Sequence, residues 1–149
     1  MEHMRALRAF TVVVLGLGLI AAACGSGGSS ESPAQAKAKI TTAWQNFFDP
    51  AVPLAQKKNI VENYNGLLPI LQQQQSNPQA QGIKAKVDDV TLQGDKQAQV
   101  RYDIVNSKDN TPLLPNASGL AIKVGNNWVV SQQTFCQLIK LADQNAKCP

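Results

Sequence analysis

Beyond the first thirty residues, the apolar positions of the chain follow two periods, helical at first and then alternating. After Ser32-Pro33, the apolar residues Ala36, Ile40, Ala43, Trp44, Phe47 and Phe48 recur at steps of three and four. This is one stripe of an α-helix with Ser32 as N-cap and proline at its first position. Asp49-Pro50 ends it, because a residue before proline is pushed away from helical angles. A second helix is predicted from Pro53 to Tyr64, burying Leu54, Ile60, Val61 and Tyr64, with Asn65-Gly66 as its C-terminal cap. A short third helix starts at Leu67-Leu68-Pro69-Ile70-Leu71, dissolves into Gln72 to Gln75 and stops by Asn77-Pro78.

From Ile83 the pattern alternates. Ile83, Ala85 and Val87 share one face, and Val90 and Leu92 continue one step out of phase, which a bulge near Asp88-Asp89 explains. Gly94-Asp95 is a hairpin turn. The next strand points Ala98, Val100, Tyr102 and Ile104 inward and Gln99, Arg101 and Asp103 outward. A loop containing Pro112 and Pro115 follows. Leu120, Ile122 and Val124 then alternate, Gly125-Asn126-Asn127 turns the chain, and Trp128 and Val130 lie on a returning strand. Thr134 and Gln137 form a capping box that opens a last helix, with Phe135, Leu138, Ile139 and Ala142 on its apolar side. Helices followed by an antiparallel meander and a terminal helix imply an α+β fold, with the N-terminal helices packed on one face of a curved sheet.

The N-terminus changes this picture from a plain domain to an exported one. Arg5 and Arg8 precede an uncharged run from Phe10 to Ala23 that ends in Ala21-Ala22-Ala23. The run is shorter than the roughly 20 residues of a membrane span and is followed by Gly25-Ser26-Gly27-Gly28-Ser29-Ser30, so residues 1–23 read as a cleaved export signal. The stretch Ile20-Ala21-Ala22-Ala23-Cys24 resembles a bacterial lipobox, with Ala21 where leucine is commonest; the same alanines also suit ordinary signal peptidase. An exported chain with three cysteines has one left over from disulfide pairing. Acylation of Cys24 removes the odd one and leaves Cys136 and Cys148 to form a disulfide, worth about 3 kcal/mol in the loop-entropy account. Residues 24–32 are then a lipidated cysteine and a Gly/Ser tether, and residues 33–149 form one extracytoplasmic domain held at the cell membrane by its N-terminal lipid.

Composition adds exclusions. The net charge is +4, and loss of Arg5, Arg8 and Glu2 with the signal lowers it by one. Lys37, Lys39, Lys57, Lys58, Lys84 and Lys86 are dispersed, which argues against nucleic acid and marks them as solvated faces. The single histidine, His3, leaves with the signal, so the mature chain has no Ser-His or Cys-His nucleophile system and no imidazole ligand for a metal. No phosphate-binding loop or metal set is recognisable, and no cofactor is expected.

The segments Ala117-Ser118-Gly119-Leu120-Ala121-Ile122-Lys123-Val124, Gly125-Asn126-Asn127-Trp128-Val129-Val130 and Thr134-Phe135-Cys136-Gln137-Leu138 resemble the end of the mycobacterial low-molecular-weight secreted antigen domain. The helix with Trp44, Phe47 and Phe48 and the strand through Val100, Tyr102 and Ile104 are similar too, so the resemblance spans roughly residues 34–148. It implies an actinobacterial source, an exported or lipid-anchored protein, and a cone-shaped fold like nuclear transport factor two and ketosteroid isomerase. That fold is shared by enzymes and non-enzymes and fixes no activity.

A cone encloses an apolar cavity between helices and sheet, the default place for a ligand. Trp44, Phe48, Tyr64, Val100, Tyr102 and Trp128 are the residues expected near it, although core packing is the favoured reading of each, since an aromatic stripe at helical spacing is ordinarily core. Tyr102 with a carboxylate could move a proton, but Asp103 should face away from it. The expectation is a non-enzymatic binding or interaction module, with a small hydrophobic ligand or an envelope protein as partner; the alternative is a carrier or small enzyme using the same cone.

Overall fold

A computed structural model describes residues 30–149. The expected export signal, Cys24 and the Gly/Ser segment through Ser29 lie outside the described residues. Helix α1 (Pro33–Phe48) begins as its sequence requires: the Ser32 hydroxyl accepts the Gln35 N–H at 3.3 Å, and the Gln35 side chain accepts the Ser32 N–H at 3.0 Å. These two bonds satisfy donors that a helix start otherwise leaves bare. Its buried stripe is Ala36, Ile40, Ala43, Trp44 and Phe47, and the Asp49 carboxylate accepts the Ala51 N–H in the turn that follows.

The next helical segment departs from expectation. Helix α2 covers only Leu54–Lys57, and α3 runs from Tyr64 to Gln75, taking in the glutamines. Between them the chain is drawn out along the sheet: Val61 bridges Val130 in parallel, with Val130 N–H donating to Ile60 O and Glu62 N–H to Val130 O, both at 2.9 Å. Asn63, in the left-handed region at φ 51°, turns the chain into α3. Asn65-Gly66 therefore stands in the first turn of α3 rather than capping a preceding helix. A Cβ on Gly66 would come within 2.5 Å of the Asn63 amide, so any other residue there would have to displace that side chain from its bond to Gln132.

Strands β1 (Ile83–Leu92), β2 (Gln97–Asn106), β3 (Pro112–Val124) and β4 (Asn127–Val130) form an antiparallel meander in sequence order. The β1–β2 register slips between Val87 and Asp89, the bulge that the change of phase predicted. Strand β3 starts earlier than expected, absorbing Pro112 and Pro115. Only its last four residues pair with β4, so the prolines lie where one side of the strand has no ladder to break. The β2–β3 register is irregular there, and Asn116, at φ 55°, donates its N–H to the Asp103 carboxylate at 2.8 Å.

Leu120, Ile122 and Val124 were expected to face the core, yet Gly119 and Ala121 are the buried positions and Val124 is exposed. The register explains the reversal, since Gly119 lies opposite the inward Val100 and Ala121 opposite Ala98 and Val130. Helix α1 presses so closely on this strand that a Cβ on Gly119 would meet Trp44 Cζ2 at 3.1 Å and Thr134 Cγ2 at 2.5 Å. Small residues fit; leucine does not. Helix α1 packs against both β1 and β4, the two ends of the meander, and a sheet can touch one helix with both ends only by curling around it. The result is the expected α+β arrangement, a half-barrel of four strands over helices.

Helix α4 (Gln132–Ala142) is capped by Ser131, three residues before the expected Thr134. The Ser131 hydroxyl accepts the Thr134 N–H at 3.1 Å, while the Thr134 hydroxyl accepts the Leu120 N–H at 2.8 Å and so ties α4 to β3. Cys136 and Cys148 form a disulfide with Cα atoms 5.8 Å apart, bringing the tail back onto α4. Gln132 Nε2 donates to the Pro149 carbonyl as well.

Candidate functional site

The interior of the half-barrel is filled. Trp44, Val100 and Tyr102 are fully buried in one cluster, with the Trp44 and Tyr102 rings edge-on at 6.0 Å. The Tyr102 hydroxyl has no hydrogen-bond partner among the described residues, and burial pushes its pKa up to about 12. Asp103, its neighbour in sequence, is on the other face, holding Asn116. Among the described residues, no acid or base is hydrogen-bonded to the Tyr102 hydroxyl.

Open space lies instead where the helices end. A cleft of about 540 Å³ is walled by Phe47 and Phe48 from the end of α1, Leu54 and Lys57 from α2, and Leu71 and Gln74 from α3. Ile83, Ile104 and Leu114 form its sheet side, and Phe135, Leu138, Ile139 and Leu141 of α4 close the far wall. Its volume falls in the range of roughly 300–1,000 Å³ typical of small-molecule sites. Leu141, 70% exposed, stands at its rim.

Of the six residues expected near a cavity, Phe48 alone lines this cleft. Phe48 packs on Tyr102 at 5.7 Å, so Tyr102 is one layer behind the wall. Trp44 and Val100 are core, and Tyr64 is half-buried against that core at the start of α3. Trp128 edges a smaller, more polar groove of about 420 Å³ together with Lys39, Thr42 and Asn127.

Trp128 also belongs to an ionic knot. Its Nε1–H donates to Glu31 Oε2 at 2.8 Å, Lys123 Nζ reaches the same oxygen at 2.8 Å, and Lys39 Nζ lies 2.6 Å from Oε1. Lys123, Lys39 and Trp128 together hold the Glu31 carboxyl down at about 2, well below the usual carboxylate range. Glu31, expected to be part of a flexible tether, is thus bound to the domain, its side chain only 12% exposed.

Lys57, expected on a solvated face, is half-buried in the cleft wall. Its ammonium donates to the Phe47 carbonyl at 2.8 Å, at the electronegative end of α1, and lies 5.8 Å from the centre of the Phe47 ring. Burial lowers its pKa, and the charge of Asp49 opposes that shift. Among the described residues, Lys57 is the only charged side chain lining the cleft. Sequence periodicity places Leu138 and Ile139 on an apolar helix face, but the sequence reads Leu54 as buried along a longer helix and Lys57 as solvated, and the short α2 brings both to the cleft.

Among the described residues, no group of three or more His, Cys, Asp or Glu side chains converges to hold a metal ion, and no helix is long and apolar enough to cross a membrane. No curated protein matches the chain. Residues 33–146, nearly all of the described residues, match the family described as low molecular weight antigen MTB12, C-terminal domain.

Proposed function

This chain belongs to the low molecular weight antigen MTB12 C-terminal domain family, and on that premise we propose that it is a lipid-anchored envelope protein whose folded part is a binding module rather than an enzyme. The observation that carries the reading is the position of free space. The interior where a cone-fold enzyme would place its chemistry is packed with Trp44, Val100 and Tyr102, whereas the accessible volume is an apolar cleft at the helix ends. Such a cleft gains affinity by removing apolar surface from water, about 25 cal/mol per Å², and needs no reactive group. Anchoring rests on Cys24 following the apolar run, and on the pairing of Cys136 with Cys148, which leaves Cys24 as the odd thiol.

Two measurements test this. The neutral fluorophore N-phenyl-1-naphthylamine, added to the full chain, should brighten on entering the cleft, and Leu138→Gln should weaken the response several-fold; a response equal in the two proteins overturns the cleft as the binding site. Cys24→Ala should move the protein from the membrane fraction of an actinobacterial host into the medium. Retention equal to that of the parent overturns lipid anchoring.

A further inference from the structure

The binding-module reading leaves the ligand unspecified, and the inference drawn here rests on that reading. Among the described residues, the cleft wall is apolar apart from a few glutamine amides and one ionic group, the Lys57 ammonium. A lysine ammonium has three donors. One is used on the Phe47 carbonyl, and among the described residues the remaining two meet no acceptor; the ion pairs there are Lys39–Glu31, Lys86–Asp88 and Lys123–Glu31. Asp49 acts on Lys57 through its charge, but its carboxylate is turned to the Ala51 N–H at 2.8 Å. The ammonium is also fixed in place, since the Phe47 carbonyl and ring hold it from the α1 side. A half-buried cation with unused donors, set into a hydrocarbon wall, is complementary to a molecule with an anionic head and an apolar body.

We propose that the cleft binds a single-chain amphiphile bearing a carboxylate, its alkyl chain laid against Phe48, Leu71, Leu138 and Ile139 and its head group on Lys57. The volume of about 540 Å³ suits one chain, not the paired chains and bulky head of a phospholipid. A carboxylate accepts two charge-assisted bonds from the free ammonium donors, and among the described residues no carboxylate in the cleft lining repels it.

The test is competition for the full chain loaded with N-phenyl-1-naphthylamine, using dodecanoate, 1-dodecanol and dodecyltrimethylammonium. Dodecanoate should displace the probe at about tenfold lower concentration than dodecanol, and the ammonium should be the weakest, because only the head group differs. Lys57→Met keeps the length of the stem and should erase the advantage of dodecanoate over dodecanol; Lys57→Arg should keep it. Equal displacement by the three amphiphiles of the unmodified chain, or a carboxylate preference that survives Lys57→Met, overturns the proposal. If Lys57→Met fails to fold, the head-group comparison on the unmodified chain decides. Stronger displacement by dihexanoylphosphatidylglycerol would assign the cleft to a two-chain lipid, and probe binding that falls as protein concentration rises would assign it to a second copy of the chain; either overturns the proposal. Absence of any probe response would instead remove the binding-module reading on which it stands.

Discussion

Glu31 stands one residue before the N-cap of α1, and its carboxylate gathers Lys39 from that helix with Lys123 of β3 and Trp128 of β4. One side chain thus joins the start of the domain to the far side of its sheet. Its carboxyl is held at about 2 in the folded protein against 4.5 for the free group. A carboxyl with a depressed folded pKa contributes stability that is fully present above the unfolded value and is lost as pH falls through the folded one. Glu31→Gln should therefore lower the thermal midpoint at neutral pH, and the gap from the parent should shrink from pH 4.5 downward and close near pH 2. Midpoints measured by circular dichroism across that range check this; a gap unchanged at pH 2 would mean that the carboxylate charge is not what binds the knot. None of this was legible in sequence, where a lone glutamate in a Gly/Ser run carries no pattern. Its partners come from positions 39, 123 and 128, and only the packing of α1 on the curled sheet brings them together.

At the scale of elements, what could be read were the strong periodic segments: α1, the β1–β2 hairpin with its bulge, and the existence of α4. What could not were places where a local preference yields to a tertiary contact. The segment from Ile60 to Glu62 has a helical pattern, but its backbone groups bond to Val130 on β4, so the expected second helix stops at Lys57 and α3 starts at Tyr64, earlier than expected. Strand β3 shows the same override in its side chains. Leu120 and Ile122 have the stronger apolar signal, yet Gly119 and Ala121 face inward, and at Gly119 the side chains of Trp44 and Thr134 leave no room for more. Gly119→Ala should accordingly destabilise the domain by about 1–3 kcal/mol, the usual cost of overpacking. Adding Thr134→Ser, which removes the clashing methyl and keeps the hydroxyl that accepts from Leu120, should recover part of that loss. Urea denaturation of the single and double variants checks this, and strictly additive effects would show that the two positions do not meet.

At the scale of the whole molecule, the same override explains why the cleft was harder to foresee than the fold. The aromatic residues that sequence reasoning places near a cavity are those with the best periodicity, and good periodicity marks the centre of an element, which packs. The cleft is built largely from element ends, the last turn of α1, the four residues of α2 and the end of α3, together with the apolar face of α4. Phe48, the last residue of α1, belongs to both sets. Core and cleft are nevertheless coupled, because the cleft walls are positioned by a sheet that curls around α1, and Trp44 stands at the centre of that contact with no exposure at all. Trp44→Ala leaves a large void between α1 and β3 and should cost about 3–5 kcal/mol. Against a total stability of roughly 5–15 kcal/mol for a natural domain, that is a large share, and it falls on the contact that holds the curl. The variant should unfold at much lower urea, and its response to N-phenyl-1-naphthylamine in dilute urea should vanish together with its circular dichroism signal. Loss of the probe response well before the secondary structure melts would show instead that the helix ends fold separately from the half-barrel, and that the cleft is not set by α1.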